Sequence, residues 1–593
     1  MRCAPATLRR WPTPLFVWSG LVASLVCALP PSAQAQPSGA VERRFQDQQL
    51  RDQLNNLRQQ QLEPTKPLLE GAPSTPTGTP SGEVDQPKQS EQGPPIKGVE
   101  LNGAQLFPAN RLALLRLDFV GRSASQANLQ RLQAQITAWY DQAKLLTQVG
   151  VPRYGGDGVV SVQVVEARLG AVRVDQNRSA ISSGWAIATV LDAVGKGREM
   201  RLDKLESALL KLNDLGGVQV RAALAPGKAM GTTDVVLTLK ATRQVQGDVS
   251  LNNYVTQYTG PYQAQANVNF GGLLGRGETF VFDGAYSGNV DWYGSRHWAG
   301  NGIVPLTPGG LNWVGSYSWS DYRLLQEFAG DNYVGDYMAG TVGLSQVLWR
   351  RPKANLVARV IGEVDTFNDS VLGYEYSNRT NWVGRFSLAG DIQDQWFGGA
   401  GLNSGLLTLS LGNLSKLAPG EADVDAGLMG TAGSWGKINL LVDRYQMFKG
   451  SRWSLEFFGQ AQGAFNNLDS AEKMSLGWPN GVRAYPPGEA AGDSGLAGQF
   501  TARYQIAKNV ALKGFVDGGY IWRWTNYWYG MASPGSLGLW GPGLGVDWGT
   551  RGDLLLSVDL AFPMGQNSYG PYGYDVDGEN PDARVWVSLR KWL

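Results

Sequence analysis

LLLSVDLAF (residues 554–562) decides the fold. In an extended chain successive side chains point to opposite sides. Leu554, Leu556, Val558, Leu560 and Phe562 therefore share one face, and Leu555, Ser557, Asp559 and Ala561 share the other. LLTLSLG (406–412) repeats the pattern, setting Leu407, Leu409 and Leu411 against Thr408, Ser410 and Gly412. So does the closing ARVWVSLRKWL, with Val585, Val587, Leu589 and Leu593 opposite Arg584, Ser588 and Arg590. From about residue 247 to Leu593 the chain keeps to short, alternating, turn-separated segments. One apolar and one polar face, sustained this long, leave no layer for a second sheet to cover. A barrel with lipid outside and water inside satisfies every strand edge. At roughly 20 residues per strand with its turns, the length holds about 16 antiparallel strands, and 18 at most. Trp and Tyr near strand ends would form the interfacial belts. An array of soluble β-sandwiches is the competing architecture.

The composition agrees. The 593 residues carry 77 Gly, 21 Trp and 22 Tyr, which suits many turns and half-exposed strands. Charge is balanced, 52 basic against 51 acidic residues, so no global attraction to nucleic acid is implied. No run of about 18 apolar residues follows the N-terminal segment, so no spanning helix is expected there. Residues 1–35 read as a signal peptide: Arg2, Arg9 and Arg10, an apolar stretch from Leu15 to Leu29, and Ala33-Gln34-Ala35 as the cleavage site. Leu25-Val26 before Cys27 lacks the small residues of a lipid-anchoring signal. Both cysteines, Cys3 and Cys27, would leave with it, so no disulfide or thiolate metal site is expected in the mature chain.

Residues 41–62 read as a Gln-rich helix with few apolar positions: Val41 and Phe45, then Leu50, Leu54 and Leu57. A helix this polar cannot bury a wide face in a core. It suits either a water-filled lumen or an exposed stalk. Residues 63–97, rich in Pro, Ser, Thr and Gly, read as an extended, unpacked linker. Two α+β units follow, 98–168 and 169–242, with the same β-α-α-β-β order. The first has a helix capped by Ser125 with Leu129, Leu132, Ile136 and Trp139 on one face. The second has Leu202, Leu205, Leu209 and Leu212 along RLDKLESALLKLNDL (201–215).

This order of elements resembles the two-partner secretion outer-membrane transporters (TpsB type). These are the haemolysin and filamentous-adhesin secretion-activation proteins of the Omp85 superfamily. LDKLESALLKLNDLGGVQVRAALAPGKAMGTTDVVLTL (202–239) is similar to their second POTRA domain, and residues 248–280 to their first strand pair. PNGVRAYPPGEAAGDSG (479–495) resembles the family's lumenal loop, V-R-G-Y/F with a Gly- and acid-rich tail. Val482, Arg483, Ala484 and Tyr485 carry the motif, with Ala where Gly is commoner; a positive φ there would strain alanine. GFVDG (514–518) resembles the wall strand that meets it, with Phe515 and Asp517. The resemblance implies that Arg483 pairs with Asp517. A charge on a loop folded into the pore needs an acceptor, and a carboxylate supplies a bidentate one.

The same resemblance implies a membrane β-barrel at 247–593, preceded by two periplasmic POTRA domains and an N-terminal plug helix at 41–62. It implies a pore that secretes an adhesin- or haemolysin-like, β-helical exoprotein (TpsA type) from periplasm to cell surface, captured unfolded by the POTRA domains. It further implies contact with outer-membrane lipid, assembly by the barrel assembly machinery, a monomer, no cofactor and no enzymatic activity. An Omp85-type insertase is the alternative; such proteins carry more POTRA units and lack the plug helix and Pro-rich linker.

Other motifs read as scaffold. GLLGRGET (272–279) lacks a phosphate-loop lysine and reads as a hairpin turn. Arg551-Gly552-Asp553 abuts a strand and reads as a turn. DVDGE (575–579) echoes half a calcium loop but reads as an acidic surface loop. His297, the single histidine, is expected at a loop or barrel rim, leaving metal or Cys/His catalysis almost no residues to use. It is the one imidazole open to a Ser-His-Asp triad, and no nucleophile–base pair for a surface hydrolase is evident.

Overall fold

The computed structural model describes residues 68–70, 93–288, 294–528, 535–565 and 574–593. The expected signal peptide, the helix at 41–62 with Phe45, Leu50, Leu54 and Leu57, and most of the linker lie outside them.

Linker residues supply the first strand, β1 (Leu69–Glu70). The first α+β unit contains β2 (Gly98–Asn102), helices α1 (Ala109–Phe119) and α2 (Gln126–Gln142), then β3 (Thr147–Val149), β4 (Arg153–Tyr154) and β5 (Val159–Glu166). Ser125 Oγ accepts from Asn128 N at 3.4 Å and starts α2. Leu132, Ile136 and Tyr140 of α2 are buried on Val160, Val162 and Val164 of β5. The second unit contains β6 (Arg168–Asn177), α3 (Ser183–Val194), α4 (Leu202–Asn213), β7 (Val218–Pro226) and β8 (Thr232–Ala241). Leu205, Leu209 and Leu212 of α4 pack on Val220, Val235, Leu237 and Leu239.

The linker is not wholly unpacked. Its β1 pairs in parallel with β7, completing a sheet of order β1-β7-β8-β6. Ala222 N donates to the Leu68 carbonyl at 2.9 Å, and Leu68 packs on the core below. A sheet edge offers unpaired N–H and C=O groups, and an extended polar chain passing close can fill them. Composition alone carries no trace of that.

Sixteen antiparallel strands then close a barrel. They begin with β9 (Val245–Asn252), β10 (Gln263–Gly271), β11 (Thr279–Gly288), β12 (Gly294–Pro305) and β13 (Leu311–Arg323). Next come β14 (Val334–Arg351), β15 (Ala354–Val371), β16 (Tyr374–Asp394), β17 (Gly401–Lys416), β18 (Gly433–Met447) and β19 (Trp453–Ala464). The wall ends with β20 (Ser494–Ala507), β21 (Val510–Trp522), β22 (Ser536–Thr550), β23 (Leu554–Ala561) and β24 (Arg584–Trp592). A short helix, α5 (Glu421–Gly427), follows β17.

Leu560, Phe562, Val585 and Leu593 are exposed on the outer wall, whereas Asp559 and Arg584 are buried on the inner one. Asp559 of the opening stretch sits 2.6 Å from Lys513 Nζ. The seam between β9 and β24 has five register pairs, Asp248–Asn252 against Ser588–Trp592. Beyond it Asn253 extends the pairing with its side chain, donating to the Val585 carbonyl at 2.8 Å and accepting from Val587 N at 2.7 Å.

The second unit is fastened to the barrel's inner end. Arg350 of β14 grips Asp214 through two bonds of 2.7 and 2.9 Å, and Lys211 Nζ donates to the Gly309 carbonyl at 2.8 Å. Burial there pulls the Lys211 ammonium below its usual range, with Asp192 opposing. The GLLGRGET turn completes the joint: Ser182 N donates to the Gly275 carbonyl at 3.0 Å, and the Arg276 guanidinium lies 5.6 Å from the Trp185 ring centre. Gly216 and Gly271 meet backbone to backbone; a Cβ on Gly271 would lie 2.9 Å from the Gly216 Cα.

His297, expected at a loop or barrel rim, is the fourth residue of β12 and is buried, with Nδ1 3.4 Å from Ser320 Oγ. One expectation changes. DVDGE is not a surface loop: Asp575 and Asp577 are buried and grip Arg584, at 2.8 Å for the first and at 2.7 and 3.1 Å for the second. A lumenal arginine at the start of β24 requires these carboxylates, and their partner comes seven or more residues later in the chain.

Candidate functional site: the loop inside the barrel

Between β19 and β20 the chain turns back into the lumen. Residues 474–490 carry short bridges, Met474 with Gly492 and Gly477 with Val482, and almost no solvent exposure. Val482, Ala484 and Tyr485 form an apolar cluster with Leu476, Phe515, Ile521 and Leu539. The stretch thus folds as a plug of compact turns rather than as a surface loop.

Arg483 projects from it to the wall. Its Nε donates to Asp517 Oδ2 and its Nη2 to Asp517 Oδ1, both at 2.7 Å. Its backbone N–H adds a third bond to the same carboxylate at 3.1 Å, and Nη2 donates to Thr501 Oγ1 at 2.9 Å. The guanidinium lies over Phe515, 3.6 Å from the ring centre, and 5.8 Å from that of Trp478. Side-chain exposure is 5% for Arg483 and 0% for Asp517. Residues 515 and 517 share the inner face of β21, and register sets Asp517 opposite Gln499 and Thr501 opposite Phe515. A planar fork meets a carboxylate while its face stacks on an aromatic, so two independent interactions fix one orientation.

Ala484 is fully buried and has no positive φ, so its backbone is unstrained. Its methyl faces Gly541 of β22, where an added Cβ would lie 2.6 Å from it. The space is provided by a glycine on the wall. In this loop Ala490 is the non-glycine residue with positive φ, at 51°.

Several residues that hold this loop carry no local motif. Gln499 Nε2 donates to the carbonyls of Pro479, at 3.0 Å, and Gly481. Trp586 of β24 donates from Nε1 to the Arg483 carbonyl at 2.6 Å and stands near Trp478 and Tyr254. For Gln499 and Trp586 the signal available was only their inward parity on strands. Tyr485, within the motif, donates its hydroxyl to the Gly565 carbonyl at 3.0 Å.

A closed barrel with a lipid-facing exterior, a loop latched in its lumen and an α+β unit bolted to its inner end define an outer-membrane transport pore of the Omp85 superfamily, with its POTRA domain in the periplasm. The profile of the haemolysin secretion/activation proteins ShlB/FhaC/HecB matches residues 231–547, and that of the ShlB-type POTRA domain matches residues 95–167. The chain belongs to the haemolysin secretion/activation family; it is a two-partner secretion pore, and its family works with a TpsA-type exoprotein. The heme/hemopexin transporter protein HuxB of Haemophilus influenzae is similar to it, 22% identical over 497 residues, covering 80% of this chain and 84% of the relative. In fold it is similar to CdiB from Escherichia coli, with TM-score 0.71, 20% identity and coverage of 94% and 99% of the two chains. CdiB from Acinetobacter baumannii gives TM-score 0.65 at 15% identity over the same shares.

Proposed function

We infer that this pore threads an unfolded β-helical exoprotein of the adhesin or haemolysin kind through its lumen, with Arg483 and Asp517 as the latch holding the loop in the resting state. The carrying observation is the latch itself: a bidentate ion pair buried in the path a chain must take. A relative named for heme/hemopexin transport makes a hemopexin-binding exoprotein one cargo worth trying. The POTRA units, at 98–168 and 169–242, capture the cargo's N-terminal domain by adding a strand to a sheet edge. That β7 accepts the linker strand β1 supports this mode of binding. The chain works as a monomer in outer-membrane lipid, is inserted by the barrel assembly machinery and carries out no enzymatic step. Folding of the cargo outside supplies direction, so no nucleotide is consumed. Residues 41–62 fill the resting lumen through Phe45, Leu50, Leu54 and Leu57. Deleting 41–62 and recording planar-bilayer currents tests the resting state: open-channel conductance should rise, and an unchanged current would remove the plug from the account.

A further inference from the structure

The latch holds only the second half of the lumenal loop. Its first half, residues 467–473, lies against a different part of the wall. Arg379 Nη1 on β16 donates to Asp469 Oδ1 and Oδ2 at 2.7 and 2.8 Å, while its Nη2 reaches Asp369 of β15 at 3.0 Å. Glu472 lies 2.7 Å from Lys437 Nζ of β18 and 3.2 Å from Arg385 Nη2 of β16. Lys437 also donates to the Glu472 backbone carbonyl at 2.8 Å. Asp469, Glu472, Arg379 and Lys437 are all buried. Apolar contacts seat the same segment: Leu468 joins Val383, Leu414 and Trp435, and Ala471 packs on Tyr337 and Phe367.

The two attachments share no residue. Asp469 and Glu472 reach β15, β16 and β18, on one side of the loop's origin at β19; the latch uses β20, β21 and β24, a side that Lys473 also touches through Asp493 and the Arg523 carbonyl. Withdrawing residues 467–473 would strip Lys437 of both its bonds to Glu472 and leave Arg379 with one carboxylate where it now has two. Breaking a buried pair is costly because a desolvated charge stays behind.

We propose that Asp469 and Glu472 form a second anchor, which keeps the first half of the loop in the pore after Arg483 and Asp517 separate. They are positioning residues for secretion: the lumen clears only when both anchors release. The consequence for secretion rests on the pore reading above; the anchor itself does not.

The test reads loop position directly. In the full-length chain with Cys3 and Cys27 replaced by serine, Ala339→Cys and Ala471→Cys place a reporter pair where Ala471 meets the Tyr337–Ala339–Phe367 cluster. Disulfide yield on mild oxidation is compared in three backgrounds: Arg483→Ala alone, Asp469→Asn with Glu472→Gln, and all three together. Heat-modifiable gel migration certifies a folded barrel in each. The yield should be unchanged by Arg483→Ala and fall at least tenfold in the triple variant. A fall with Arg483→Ala alone, or an undiminished yield in the triple variant, overturns the proposal. If the triple variant fails to fold, Arg483→Ala with Glu472→Gln takes its place, and a yield equal to wild type is again refuting. Exoprotein secretion, scored separately in the same cells, tests the pore reading and leaves the cross-linking result intact either way.

Discussion

Removing either partner of the Arg483–Asp517 pair should loosen the loop, and removing both should cost less than the two single losses added together. With Asp517→Ala, Arg483 keeps its bond to Thr501 and its stacking on Phe515 but becomes a buried cation without a counter-charge. With Arg483→Ala, Asp517 keeps the backbone N–H of residue 483 and loses both bonds of the fork. Orphaning one member of a buried pair costs about 3–5 kcal/mol. At 1.4 kcal/mol per tenfold, that shifts the closed–open equilibrium of the loop by roughly two to three and a half orders of magnitude. The double variant removes both charges, so its cost should fall well below the sum of the singles, with a coupling energy of at least about 1 kcal/mol. Hydrogen exchange at the amides of residues 482 and 485, which donate to the Leu476 and Val482 carbonyls, reports the opening. Single variants with wild-type protection, or strictly additive losses in the double, would refute the latch. Secretion should fall in both single variants while the barrel stays assembled.

Three further outcomes follow from contacts outside the ion pair. Trp586→Phe removes one buried bond to the Arg483 carbonyl and should lower protection at residue 482 by about 1 kcal/mol, roughly fivefold, read by the same exchange experiment. Gly216→Ala drives a methyl into the Gly271 backbone, where a Cβ would lie 2.6 Å from its Cα; docking should weaken by about 1–3 kcal/mol, seen as faster proteolysis between residues 242 and 245. Arg350→Ala at the same joint breaks a bidentate pair between a mostly buried arginine and a half-exposed aspartate, and the same proteolysis should show a loss of about 1 kcal/mol.

The barrel was legible because lipid imposes one rule on every strand, and LLLSVDLAF follows it apart from Leu555 on the lumenal face. The α+β units were legible through the 3.6-residue spacing of Leu205, Leu209 and Leu212. Loop contacts are another matter. Arg483 and Asp517 are 34 residues apart, and only the resemblance joined them. Thr501, Gln499 and Trp586 meet the loop through strand register and barrel closure, neither of which any short window encodes. Asp469 and Glu472 carry no sequence signal of their role, since their cationic partners lie 90 and 35 residues upstream. DVDGE misled for the same reason: a carboxylate's burial depends on whether an inward arginine stands nearby, and hydropathy does not report that.

Threading through the lumen is tested most directly by photo-cross-linking during secretion. Ser387 shares the inner face of β16 with Arg385, and its hydroxyl meets Thr408 at 3.1 Å; Phe386, next to it, faces out. A photoreactive residue at 387 should form an adduct with exoprotein stalled in transit, and one at 386 should not. Exoprotein reaching the surface with no adduct at 387, or with adducts only at 386, would contradict passage through the barrel.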